Sequence, residues 1–299
     1  MLRRCGRGFT IGMAQFKSYS VNVGGRLLEI DRPQVMGILN VTPDSFYGGS
    51  RCGTSGEAIR SRVRQMVAEG ADIIDVGGYS SRPGAADVPP GEETRRLEAG
   101  IAAVKEEAPG ALISVDTFRA DVARHCVEEL GAHMINDISG GDLDPAMAGT
   151  VASLGVPYIA MHMRGTPATM SQLAHYGDVT AEVVGELAAK VARLRQLGVR
   201  DVIVDPGFGF SKTVGQNYQL MREIGELASL ECPVLVGVSR KSMIYKLLSS
   251  SPEEALAGTT VLNTLALMAG VHLLRVHDVR PAVEAVKIVG AVTGMYTYQ

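Results

Sequence analysis

Eight apolar runs in this 299-residue chain each finish on a residue that can hydrogen-bond or carry charge. In order, the endings are Asn40, Asp75, Asp116, Asn136 with Asp137, His162, Asp205, Lys241, and Arg275 with His277 and Asp278. The run Val234-Leu235-Val236-Gly237-Val238 shows the pattern most sharply, because it breaks directly into Ser239-Arg240-Lys241-Ser242. A cationic tetrad after a buried strand suits an anion or a carbonyl. A single polar strand end is ordinary, and an ion-pair network such as Asp205 with Lys241 would explain part of the set. Repetition over eight runs needs more, since charges at the edge of a core require partners. Arg275 and His277 also share one strand face, which adds two cations to the same place.

The intervening loops fit this chemistry. Asn40-Val41-Thr42-Pro43-Asp44-Ser45-Phe46 and Ser80-Ser81-Arg82-Pro83-Gly84-Ala85 are polar and rich in Gly and Pro, as expected of a lid over a charged substrate. In Asp205-Pro206-Gly207-Phe208-Gly209-Phe210 the glycines allow close backbone approach to a flat ligand, while the phenylalanines serve a site or a core equally well.

The elements that must hold these residues alternate. Strands are expected over 35–41, 71–78, 112–117, 134–139, 157–163, 201–207, 233–239 and 273–278. Each is followed by a stretch with helical periodicity, such as Ile59, Val63, Met66 and Val67, or Val183, Leu187, Val191 and Leu194. Thr54 to Glu57 has capping-box spacing, and Asp144-Pro145 reads as an N-cap with proline at the first helical position. Ahead of the alternation, Val21-Asn22-Val23, Gly24-Gly25 and Leu27-Leu28-Glu29-Ile30 read as a hairpin that could plug the bottom of a barrel. The predicted class is α/β: a (β/α)8 TIM barrel with an N-terminal β-hairpin, residues 16–299 forming one domain and 1–15 a flexible extension. A doubly wound open sheet is the alternative. The Gly-x-Gly-x-x-Gly signature that would favour it as a dinucleotide fold does not follow an early strand.

Bulk properties narrow the function. At 46% hydrophobic and 20% charged residues with net charge −3, the chain has material for a large core and no global basic field for nucleic acid. No apolar run approaches the roughly 20 residues that span a bilayer. Cys5, Cys52, Cys126 and Cys232 are too scattered for a zinc site or a disulfide framework, so reduced structural thiols and a cytoplasmic protein are expected. The basic opening 1–7 lacks a secretory apolar region. It has the look of a transit peptide, or Met13 is the true start.

At the strand ends the chain resembles the dihydropteroate synthases, the folate-pathway members of the pterin-binding TIM-barrel enzymes. The matching segments are Met36-Gly-Ile-Leu-Asn-Val-Thr-Pro-Asp-Ser-Phe46, Ile74-Asp-Val-Gly-Gly78, Ser81-Arg-Pro-Gly84, Ser114-Val-Asp-Thr117, Ile135-Asn-Asp137, Met161-His-Met163, Asp205-Pro-Gly-Phe-Gly-Phe210, Ser239-Arg-Lys-Ser242 and Arg275-Val-His-Asp278. The resemblance implies an enzyme that joins p-aminobenzoate to 6-hydroxymethyl-7,8-dihydropterin diphosphate and releases pyrophosphate with Mg2+. It implies a pterin pocket of Asp116, Asn136, Ile138, Met161, Asp205 and Lys241. Arg275 and His277 would hold the diphosphate, with Asn40 also binding the metal. Phe46, Ser81, Arg82, Pro83 and Ser242 would line the p-aminobenzoate site, and Asp116, Lys241, Arg275 and His277 would carry the chemistry. A homodimer through helices near the seventh and eighth strands is implied as well.

The residue chemistry is compatible, since a pterin offers an amidine-like donor edge and a carbonyl to a carboxylate, an amide and a lysine. Two departures stand out. Tyr79-Ser80-Ser81-Arg82-Pro83 replaces the usual Glu-Ser-Thr-Arg-Pro, so altered p-aminobenzoate or sulfonamide affinity is expected, and the first loop lacks the usual acid after Phe-Ser. Three rivals remain: a pterin-binding methyltransferase that serves a corrinoid protein, a silent pterin-binding protein, and a Schiff-base aldolase whose Lys241 is perturbed by Arg240.

Overall fold

The apolar runs are strands buried on both faces, the condition of a parallel sheet covered by helices. A computed structural model describes residues 16–42, 56–80 and 87–297. Two antiparallel strands, β1 (Tyr19–Val23) and β2 (Arg26–Ile30), come first. The parallel strands are β3 (Gln34–Asn40), β4 (Ile73–Gly77), β5 (Leu112–Asp116), β6 (Met134–Asp137), β7 (Tyr158–Met161), β8 (Val202–Asp205), β9 (Leu235–Val236) and β10 (Leu273–Val276). They run in the order β8-β7-β6-β5-β4-β3-β10-β9. The two ends of that order meet through a parallel bridge between Val204 and Val234 and the bond from Val204 N to Pro233 O, 2.9 Å. The sheet is therefore a closed barrel, not an open doubly wound one.

Helices α1 (Gly56–Ala68), α2 (Pro90–Glu107), α3 (Ala120–Glu128), α4 (Met147–Leu154), α5 (Val179–Gln196), α6 (Val214–Arg222), α7 (Ser242–Leu247), α8 (Leu256–Met268) and α9 (Val279–Thr293) surround it. Their apolar stripes face the strands: Ile59, Val63 and Met66 of α1 are buried, as are Val183, Leu187, Val191 and Leu194 of α5. The hairpin sits at the N-terminal ends of the barrel strands, where Asn22 N donates to Asp201 just before β8 and Lys17 O meets His272 just before β10. Val21, Val23 and Ile30 bury against the core there.

Three local expectations change. The seventh barrel strand, expected over 233–239, is regular only over Leu235–Val236, with Val234 adding the bridge to Val204. Beyond it the chain turns, with Lys241 N bonded to Val238 O and Arg240 in the left-handed region at φ 53°. Asp144 is not the N-cap of α4, which starts at Met147 after Ala146. It instead accepts from Ala146 N and, across the fold, from Ala120 N at the first turn of α3, so one carboxylate ties two helix starts together. The capping box at Thr54 and the extension 1–15 lie outside the described residues.

Candidate active site

Register decides which polar endings can meet. Asn40 pairs with Gly77, Gly77 with Asp116, and Asp116 with Asn136, giving one rung across four strands near their carboxyl ends. Glycine at the second place leaves a gap that a Cβ would fill, 3.4 Å from Asn40 Oδ1 and 3.8 Å from Asp116 Oδ2. One layer below, Asp75 lies fully buried.

Arg275, from β10, joins the two levels. Its Nε donates to Asp75 Oδ2 and its Nη2 to Asp116 Oδ2, both at 2.6 Å. Asn136 Nδ2 adds a 3.0 Å bond to Asp75. Burial pushes the Asp116 carboxyl up, and the Arg275 guanidinium opposes it. Arg275 stays charged, because two carboxylates outweigh its burial.

The second constellation gathers on the loop after β8. Gly207 N donates to Asp205 Oδ1 at 2.7 Å, and Lys241 Nζ donates to Phe208 O at 2.6 Å while lying 4.8 Å over the Phe210 ring. Lys212 ties the loop to its neighbours, reaching Gly207 O, Phe210 O and His162 Nδ1 at 3.0 to 3.1 Å. Gly207 and Gly209 take positive φ, and a Cβ at Gly209 would stand 3.2 Å from Lys241 Cδ. Lys241 thus makes its direct bond to a carbonyl, while Asp205 acts on it through space. Burial lowers the Lys241 ammonium to about 8 against the pull of Asp205. Burial also raises the Asp205 carboxyl, opposed by Lys241.

A cavity of about 400 Å³ opens above these groups, lined by Asn40, Asp116, Lys241, Ser242, Arg275 and His277 together with Gly237, Ser239, Tyr79, Ser80 and Phe210. Six of the expected site residues therefore share one wall. Asn136 and Asp205, each 4% exposed, are not part of that lining. Ile138 and Met161 pack with Met163 and Met170 in a small apolar cluster that touches Phe118, Leu143 and Phe210. That cluster is separate from the main core and adjoins the cavity through Met170 and Phe210. Phe46, Ser81, Arg82 and Pro83 lie outside the described residues.

Several readings are sharpened. His277 is not a second cation: burial first, then the Arg275 charge, push its imidazole down to about 3, and its Nδ1 lies 3.0 Å from Ser239 Oγ. Arg240 turns away to Asp278, with bonds of 2.8 and 3.0 Å, and to the carbonyls of Pro252 and Glu253. It is not the cause of the lowered Lys241, which removes the aldolase argument. His162 is fully buried against Glu186 and Lys212, and Asp137 is consumed by Ser139, Gly141 and Tyr158. Neither faces the cavity. The roles of Asp75, Gly77, Ser239 and Lys212 were not foreseen. Asp75 and Ser239 stand out in the sequence as polar endings of buried strands without an assigned role, Gly77 only within the Ile74–Gly78 segment, and Lys212 not at all.

A closed eight-stranded barrel with this polar, charged wall at its carboxyl end defines a TIM-barrel enzyme with a small-molecule site. The family model described as pterin binding enzyme matches residues 36–277, and the chain belongs to that family. It is 42% identical over 269 residues to dihydropteroate synthase of Escherichia coli strain K12, covering 89% of this chain and 94% of that protein. Its structure is similar to Yersinia pestis dihydropteroate synthase in a sulfonamide drug complex, with TM-score 0.86, 37% identity, and 92% and 99% of the two chains covered. It is also similar to Xanthomonas albilineans dihydropteroate synthase with 4-aminobenzoic acid, with TM-score 0.84, 40% identity, and coverage of 92% and 98%.

Proposed function

We propose that this protein is a pterin-methyl transferase: it condenses 6-hydroxymethyl-7,8-dihydropterin diphosphate with p-aminobenzoate to give 7,8-dihydropteroate and pyrophosphate. The observation that carries the reading is the wall on which Asn40, Asp116, Lys241, Arg275 and His277 converge, in a chain this similar to dihydropteroate synthases. A methyltransferase or a silent binding protein would share the barrel, but neither accounts as well for retained phosphate-side groups and relatives named as synthases.

In this reading Asp205 and Asn136 take the donor edge of the pterin and Lys241 donates to its carbonyl and ring nitrogen. Ile138 and Met161 pack against the ring. Arg275 uses Nε and Nη2 on carboxylates, and Nη1, without such a partner among the described residues, would donate to the diphosphate, with His277 beside it on the same wall. Ser242, at the cavity wall, faces p-aminobenzoate, with Phe46, Ser81, Arg82 and Pro83 completing that side. The methylene C–O bond breaks and pyrophosphate leaves with the electron pair. Asp116 stabilises the resulting ring-delocalised cation electrostatically. The aniline nitrogen is already unprotonated at neutral pH, so it attacks with its lone pair and then sheds one proton without a strong base.

Mg2+ fits the donor set. The gap at Gly77 presents the hard amide oxygen of Asn40 beside Asp116, and magnesium is commonly held by few protein oxygens plus phosphates and water. Asn40 would hold it, and its charge would offset that of the departing pyrophosphate. Homodimerisation is part of the proposal. It is supported by exposed Val261 and Leu265 on α8 beside Ile288 and Val292 on α9. No helix among the described residues is long and apolar enough to cross a membrane, and Cys126 and Cys232 are free thiols, which supports a cytoplasmic setting. Purified protein given the pterin diphosphate, p-aminobenzoate and Mg2+ is expected to release pyrophosphate and form dihydropteroate. A folded sample that yields neither would overturn the transferase reading.

A further inference from the structure

We propose that Lys246 is a specificity-determining residue that reads the anionic end of the arylamine substrate. The inference rests on the transferase reading above and extends it to a residue that the family motifs do not include. The arylamine must point its nitrogen at the pterin methylene, near Asp116 and Arg275. Its para carboxylate must then lie at the far side of the cavity, beyond Ser242. Ser242 and Lys246 are four residues apart on α7, so they project from the same helix face about one turn apart. Both line the cavity, as do Tyr245 between them and Pro252 beyond.

The charges along this wall leave one candidate among the described residues. Arg240 is engaged by Asp278, and Arg275 by Asp75 and Asp116, its remaining nitrogen being the one assigned above to the diphosphate. Lys241, half-buried, donates to the Phe208 carbonyl and lies over the Phe210 ring. Lys246 is exposed and has no acidic partner within 4 Å among the described residues. Among the described residues it is therefore the lining cation that neither the protein nor the pterin diphosphate engages, and it would act beside Arg82 on the arylamine side. A lysine in the last turn of a helix also interacts favourably with the helix carbonyls. That effect would influence stability but not discriminate between two arylamines.

Discrimination is the test. Steady-state pyrophosphate release should be measured for wild type, Lys246→Met and Lys246→Arg with p-aminobenzoate and with its neutral analogue p-aminobenzamide. In Lys246→Met the KM for p-aminobenzoate should rise roughly tenfold, the scale of one lost charge-assisted hydrogen bond at a partly wet site. The KM for p-aminobenzamide and for the pterin diphosphate should stay unchanged, and Lys246→Arg should restore most of the loss. An equal rise for both arylamines, or no rise for either, overturns the assignment of Lys246 while leaving the transferase reading intact. A wild type that releases no pyrophosphate with p-aminobenzoate overturns both.

Discussion

Arg275 illustrates how much a residue's chemistry depends on its neighbours. Alone it is a phosphate fork. In place it also neutralises Asp75 and Asp116, the former fully buried, and so holds two carboxylates that would otherwise repel each other. The same guanidinium helps keep His277 neutral. Because the folded imidazole sits near 3 and an unfolded one near 6.5, only the unfolded chain gains this proton as the pH falls below about 6.5. The stability contributed by the neutral His277 is thus present above about 6.5 and is lost as the pH falls toward the folded value. An NMR titration of the free protein should find His277 neutral from pH 7 to 5, and pyrophosphate should raise its midpoint. A midpoint near 6.5 without ligand would contradict the buried, Arg275-facing environment. Residue types at strand ends were enough to nominate Arg275 and His277, but the charge state of His277 follows first from its burial in the folded wall and then from the Arg275 charge.

At the level of elements, the loop after β8 is the most constrained part of the site. Gly207 has φ +68°, and a Cβ there would lie 2.0 Å from His162 O. The left-handed conformation alone costs a non-glycine residue about 1–2 kcal/mol, and the backbone clash adds to it. Gly207→Ala should therefore lower Tm and abolish pterin binding together. Gly209→Ala meets only the flexible Lys241 Cδ at 3.2 Å, so beyond its own positive-φ strain it should fold and bind pterin more weakly. Thermal melts combined with titration of a bare pterin distinguish these outcomes, and an unaltered Gly207→Ala protein would refute the account. Strand and helix positions were legible from periodicity, whereas the early end of β9 was not. The left-handed turn at Arg240 is held by Asp278 and two carbonyls that are distant in sequence.

For the molecule as a whole, the notable surface is on α8 and α9. Ile288 and Val292 are 62% and 77% exposed, and Val261 is 59% exposed on the adjoining helix. Each of the pairs Ile288–Val292 and Val261–Leu265 is four residues apart, which forms a stripe on one helix face. If this stripe is the homodimer surface, light scattering coupled to gel filtration should find two copies for wild type and one for Val292→Asp. Undiminished dimer mass in the variant would locate the interface elsewhere. The closed barrel also explains why residues as far apart as Asp75 and Arg275 meet: β3, carrying Asn40, lies between β4 and β10, and circular closure returns the last strands to the first.

The sequence by itself determined the (β/α)8 alternation, the hairpin and the identities at the strand ends, because periodicity and local turn chemistry are written in neighbouring residues. It also supplied the motif resemblance that the family match bears out. Only the tertiary structure decided which endings share a wall. Strand register selected Asn40, Asp116, Arg275 and His277 for the cavity, while His162 and Asp137 were drawn into internal bonds. Burial above all then determined the protonation of His277 and Lys241, with Arg275 and Asp205 acting through space, and burial is made by elements that are far apart in the chain.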